Sequence, residues 1–107
     1  MLDLITPMII TRNEEPNLAR VLDRLSWARQ ILVIDSFSSD KTCDIARSNP
    51  RVRLLQRPFD NHTSQWNFGL AQISTLWALS LDSDYILPDD FPEEISRLRP
   101  SLNFRAS

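Results

Sequence analysis

Ile31-Leu32-Val33-Ile34-Asp35-Ser36 is the stretch on which the fold turns. A continuous apolar, β-branched run halted by a carboxylate and a hydroxyl reads as a parallel strand covered on both faces, with its carboxyl end at a polar rim. Upstream, Met8-Ile9-Ile10 is a shorter apolar run ending in Thr11-Arg12-Asn13, and Pro7 is expected at its start because proline donates no ladder hydrogen bond. From Asn13 the period changes, and Leu18, Val21, Leu22 and Leu25 make the stripe of a half-buried helix. Asn13 is its expected N-cap, Glu14 and Glu15 suit the positive end of the helix dipole, and Pro16 is tolerated in the first turn.

Downstream, Ser38, Ser39 and Asp40 offer capping oxygens to a short helix through Ile45 and Ala46, ended by Ser48-Asn49-Pro50. Arg51 to Arg57 alternates, with Val52 and Leu54 on one face, and is expected as a third strand nearer an edge, closed by Pro58. Thr63 or Ser64 is the expected cap of a third helix with Trp66, Leu70 and Ile73 on one face. Leu76 to Leu81 follows as strand four and stops at Asp82-Ser83-Asp84. Pro88-Asp89-Asp90-Phe91-Pro92 then opens a last short helix over Glu93 to Leu98, and residues 99–107 are expected to fray.

Alternating strands and helices imply right-handed crossovers and an α/β, Rossmann-like, doubly wound and mostly parallel sheet. Ligands of such sheets sit beyond the carboxyl ends of the strands, where strand order reverses. The order 3-2-1-4 would place strands one and four at that point. One rim would then collect Thr11, Arg12, Asn13, Asp35, Ser36, Asp82 and Asp84.

At 107 residues and 42% hydrophobic, the chain can hold one modest core and not two domains. Its 12 basic and 14 acidic side chains leave a net charge of −2, and the arginines are scattered, so neither the footprint of a nucleic-acid binder nor a polybasic membrane anchor is present. The lone Cys43 excludes an intrachain disulfide and a cysteine zinc site, which fits a reducing, cytoplasmic setting, with peripheral contact at the cytoplasmic membrane face allowed. The apolar runs are too short for a spanning helix. Gly69 is the one glycine, so neither G-x-G-x-x-G nor a Walker loop can cradle phosphates.

The sharpest motif is Asp82-Ser83-Asp84. Residues i and i+2 leaving a strand point the same way and can offer two hard oxygens to Mg²⁺ or Mn²⁺, supplying the charge compensation a glycine loop otherwise gives. The competing reading is a solvated acidic turn. Asp35 is either a strand-stopping turn residue or an acceptor for a nucleobase N–H or ribose hydroxyls; Thr11, Arg12 and Asn13 either line a site or only cap and solvate. His62 reads as a surface residue, Trp66, Phe68 and Trp77 as core, and Cys43 as inert packing.

Taken together, these pieces resemble the N-terminal, nucleotide-sugar-binding half of family 2 glycosyltransferases. The matching blocks are Ile9 to Glu15, Ile31 to Ser36 with Ser38, Ser39, Asp40 and Thr42, then Gln56-Arg57-Pro58-Phe59, Gln65 to Leu70, and Leu79 to Asp84, in family order and spacing from about Ile5 to Leu98. The resemblance implies a GT-A fold cut short after the D-x-D strand, with residues 1–98 a partial domain and 99–107 a tail. It implies transfer of a sugar, usually with inversion, from a nucleotide-diphosphate donor such as a UDP-sugar to a glycan or lipid-linked acceptor hydroxyl, in cell-surface glycan or lipopolysaccharide synthesis. Thr11, Asn13, Glu14, Asp35, Asn67 and Asp82 would then bind the nucleotide, and Asp82 and Asp84 would hold Mg²⁺ or Mn²⁺. The acceptor half, with its general base, would lie outside this chain, so no catalytic residue is assigned.

Two positions depart from the family pattern. Trp66 stands where many members have Arg or Lys, and Phe37 stands where glycine is frequent, so a positive φ at that site would require the loop to rearrange. An unpaired edge on strand four is expected to promote self-association. Three other readings compete with this one. A nucleotidyltransferase usually wants a Gly-rich basic loop after strand one, a receiver-type signalling domain wants a lysine at a later strand end, and a truncated remnant would act only as an interaction module.

Overall fold

The computed structural model describes residues 4–82 and 104–106, with the side chains of Asp82 and of residues 104–106 outside that description. The elements run β1 (Ile5–Thr11), α1 (Glu15–Asp23), β2 (Ile31–Asp35), α2 (Thr42–Arg47), β3 (Val52–Gln56), α3 (His62–Ala71), β4 (Trp77–Asp82) and β5 (Phe104–Ala106). The sheet order is β3-β2-β1-β4-β5, parallel throughout except for the antiparallel β4–β5 pair. This is the doubly wound α/β sheet expected, with strand order reversing at β1. Among the described residues no helix is long and apolar enough to cross a membrane.

Strand alternation sends successive side chains to opposite faces, and the two faces have different partners. Ile5, Ile9, Ile31, Val33, Leu79 and Leu81 meet the α1 stripe of Leu18, Val21 and Leu22, Leu25 just past the helix end, and Ala46 of α2. Met8, Leu32 and Ile34 on the other face carry Trp66, Phe68 and Ile73. The α3 helix lies very close there. A Cβ on Gly69 would fall 2.2 Å from Met8 Sδ and 2.5 Å from Ile34 Cδ1, so the single glycine serves helix-on-sheet packing at an ordinary backbone conformation.

Several local expectations are corrected. Pro7 lies inside β1 opposite Leu79, and the β1–β2 ladder starts only at Met8, so no bond is lost on that side. Of the face expected for α3, Trp66 and the following Ile73 pack on the sheet and Leu70 is half-buried, but the fully buried line is Gln65 and Gly69. The α3 cap is Asn61, whose side chain accepts from Ser64 N at 2.8 Å, rather than Thr63 or Ser64. Phe37 takes φ 55° in place of a rearranged loop, and its ring is exposed. The edge of β4 expected to be unpaired is covered at Trp77, Ala78 and Leu79 by β5, which falls inside the stretch expected to fray. Asp84 and the expected helix over 93–98 lie outside the described residues.

Candidate functional site

Asp35 ends β2 at the centre of the sheet and is fully buried. A buried carboxylate must be hydrogen-bonded to persist as an anion. Its Oδ1 accepts from Thr11 Oγ1 at 2.9 Å and from the Ser38 hydroxyl; its Oδ2 accepts from Ser38 N at 2.8 Å and Cys43 Sγ at 3.1 Å, with Gln56 Nε2 at 3.5 Å. Burial pushes the carboxyl up, but the Ser38 hydroxyl and amide, the Cys43 thiol and the Thr11 hydroxyl together outweigh it and hold Asp35 below the usual range. Burial, and then the charge and hydrogen bond of Asp35, push the Cys43 thiol up to about 11. Cys43 stays protonated at neutral pH, which suits the packing role expected of it.

The loops after β1 and β2 are stitched over this carboxylate. Asn13 N donates to Ser38 Oγ at 2.8 Å, Ser39 N donates to Asn13 Oδ1 at 2.8 Å, and Glu14 N donates to Thr42 Oγ1 at 2.8 Å. Glu15 N donates to Asp40 Oδ2 at 3.2 Å, while Lys41 N donates to Glu15 Oε1 at 3.1 Å. The first amides of α1 are therefore satisfied from the neighbouring loop. Asn13 is not the N-cap expected; it turns the chain at φ 54° and clasps the second loop.

A second brace ties down the loop after β3. Arg57 N donates to Asp35 O at 3.0 Å, and Arg57 Nη1 donates to Gln65 Oε1 at 2.8 Å and Asp60 Oδ1 at 3.1 Å. The fully buried Gln65 donates from Nε2 to Ser36 Oγ at 3.0 Å, and the Arg57 guanidinium stands 5.7 Å from the centroid of the Phe68 ring. Both braces end at the carboxyl edge of the sheet.

Above that edge lies a pocket of about 400 Å³ lined by Ile10, Thr11, Arg12, Glu14, Ser36 and Phe59. Its size is that of a small-molecule site. Thr11 and Glu14 were expected here. Asn13 is engaged in the loop clasp, Asp35 lies buried against Thr11, and Asn67 is exposed on α3 and is not among the pocket's lining residues. Arg12 and Ser36 were expected on the rim without an assigned contact to the nucleotide, and Phe59 was not expected there. Arg12 and Ser36 are signalled as neighbours of Thr11 and Asp35, whereas Phe59 arrives from the far loop with no local signal.

The β1–β4 register sets Asp82 opposite Ile10, and the β1–β2 register sets Asp35 opposite Thr11. The carboxyl ends of β2, β1 and β4 thus stand side by side, and the backbone of Asp82 reaches the rim that carries the pocket. Trp66 packs against the Met8, Leu32 and Ile34 face, and its buried Nε1 has no partner among the described residues.

The model of glycosyl transferase family 2 matches residues 8–98. The chain belongs to glycosyl transferase family 2. This family 2 chain is 28% identical over 100 residues to an uncharacterised glycosyltransferase of Rickettsia typhi, covering 92% of this chain and 34% of the relative. It is 29% identical over 84 residues to the lipopolysaccharide core biosynthesis glycosyltransferase LpsC of Rhizobium meliloti, covering 75% and 31%. The chain spans about a third of the length of these relatives. Its fold matches the S. aureus TarS 1-349 complex with UDP-GlcNAc at a TM-score of 0.77 and 18% identity, over 87% of this chain and 30% of that one. Glucosyl-3-phosphoglycerate synthase of Mycobacterium tuberculosis, in complex with Mn²⁺, UDP and glucosyl-3-phosphoglycerate, matches at 0.67 and 25% identity, over 78% and 34%. The fold is the GT-A fold.

Proposed function

We propose that this chain is the donor-binding part of an inverting glycosyltransferase acting in cell-surface glycan or lipopolysaccharide synthesis. The observation that carries the reading is the pocket over the carboxyl ends of β1 and β2, with Asp82 ending β4 beside it. It lies beyond the carboxyl ends of the strands and is walled by β1, the strand at which the order reverses, which is where α/β sheets bind nucleotides. The nucleoside occupies the pocket, with Thr11 and Glu14 in its wall. Asp35 acts from below, fixing Thr11 and the Ser38 turn. Asp82 and Asp84 would hold Mg²⁺ or Mn²⁺, which would supply charge neutralisation for the departing diphosphate. Asn67 supports the diphosphate side. A metal-bound UDP-sugar fits this arrangement, and a family 2 relative named for lipopolysaccharide core biosynthesis supports the setting.

In the transfer, an acceptor hydroxyl oxygen bonds to the anomeric carbon as the bond to the phosphate oxygen breaks, and the nucleoside diphosphate leaves with the electron pair. The hydroxyl proton passes to a base in the acceptor-binding part, which we place outside these 107 residues. The isolated chain accordingly binds donor without turnover, in the cytoplasm or at the cytoplasmic membrane face.

Thermal unfolding in the presence of UDP, with and without Mn²⁺, tests the reading. UDP at about a hundredfold over its dissociation constant is expected to stabilise the chain by roughly 2.7 kcal/mol with Mn²⁺ present. The variant carrying Asp82→Ala and Asp84→Ala is expected to lose the metal-dependent part. A folded sample indifferent to UDP would favour the interaction-module reading instead.

A further inference from the structure

We propose that Phe59 is the aromatic wall on which the donor's nucleobase packs, and that it contributes to donor affinity through the base alone; this rests on the nucleotide-binding reading above. Phe59 is 49% exposed although it is a large apolar side chain, and it lines the rim pocket. Exposed rings elsewhere do not share that place. Phe37 is 56% exposed but is not among the pocket's lining residues. The loop that carries Phe59 is held before it by Arg57, through Asp35 O, Gln65 and Asp60, and after it by the Asn61 cap of α3. A loop already anchored at both ends has less backbone freedom to lose when a ligand packs on the ring it carries.

The rest of the lining matches a flat, polar-edged heterocycle. Ile10 adds a second apolar contact, Arg12 offers donors to ring carbonyls, Glu14 offers acceptors to ring N–H groups, and the Ser36 hydroxyl can do either. A nucleobase needs this combination, an apolar face for its π surface and hydrogen-bonding groups for its edge. A diphosphate or a metal gains nothing from a phenyl ring.

Calorimetric titration of the 107-residue chain and of Phe59→Ala, Phe59→Tyr and Phe59→Trp, each with UDP, UDP-glucose and inorganic pyrophosphate in Mg²⁺, tests this directly. Phe59→Ala is expected to weaken UDP about tenfold and leave pyrophosphate within about twofold, while Tyr and Trp restore UDP binding. Saturation transfer from aromatic protons to uracil H5 and H6 should fall in Phe59→Ala. Its melting temperature, measured without ligand, should match the parent because the ring is not in the core. Unchanged UDP binding overturns the assignment, as does equal weakening of pyrophosphate. A greater loss for UDP-glucose than for UDP also overturns it, because the ring would then be packing on the sugar. If the unsubstituted chain binds pyrophosphate but not UDP, or binds nothing, the nucleotide reading itself fails and this inference goes with it.

Discussion

Asp35 shows how one buried charge can order a rim. Its carboxylate takes hydrogen bonds from Thr11, Ser38 and Cys43, which belong to three successive segments, so it ties the end of β1 to the loop after β2 and the start of α2. Asp35→Asn presents an amide N–H₂ to donors that need an acceptor, and is expected to cost about 2–3 kcal/mol of stability at neutral pH by urea denaturation. The pH dependence has a defined sign. Because the folded carboxyl is held below its ordinary value, its contribution is complete above roughly pH 5 and is lost as pH falls through the folded value. The gap between the parent and Asp35→Asn should therefore narrow on acidification. A gap that widens would place the stabilising form of Asp35 on the protonated side.

Among the elements, α3 has the least forgiving fit. Its sheet-facing line is Gln65 and Gly69, one fully buried amide that braces Ser36 and Arg57 and one missing side chain that lets the helix settle on Met8 and Ile34. Gly69→Val puts a branched side chain into a space where even a Cβ overlaps buried atoms, and that overlap outweighs valine's small gain in helix propensity over glycine. A loss of about 3 kcal/mol in urea denaturation is expected. A neutral or stabilising Gly69→Val would mean that α3 does not approach the sheet this closely. The α1 helix is of a different kind, because its stripe of Leu18, Val21 and Leu22 is buried as its periodicity implied, while its amino-terminal amides take partners from a loop some 25 residues away in sequence.

At the scale of the whole molecule, the sheet has an asymmetric right-hand side. Four parallel strands end at β4, and β5 returns antiparallel to cover Trp77, Ala78 and Leu79. Removing residues 104–107 bares those backbone groups, and sedimentation velocity of the shortened chain is expected to show concentration-dependent association beyond that of the parent. A shortened chain that stays monomeric at the same concentrations would mean that this edge is not adhesive. What the sequence determined by itself follows from short-range physics. The apolar runs at Met8–Ile10 and Ile31–Ile34, the period of Leu18 to Leu25, and the carboxylates and hydroxyls that stop each run are local signals, and they sufficed for β1 to β4, the three helices between them, the winding and the rim, but not for β5. Tertiary structure decided whatever depends on groups far apart in the chain. It turned Asn13 from a cap into a clasp, because Ser38 and Ser39 come to meet it, and it buried Asp35 rather than leaving it open to a ligand. It brought Phe59 to the pocket from a third loop, and it used the lone Gly69 for helix packing rather than for phosphate contact. Those outcomes rest on hydrogen bonds and close approaches between segments whose separation in sequence carries no periodic mark, so only the assembled sheet could set them.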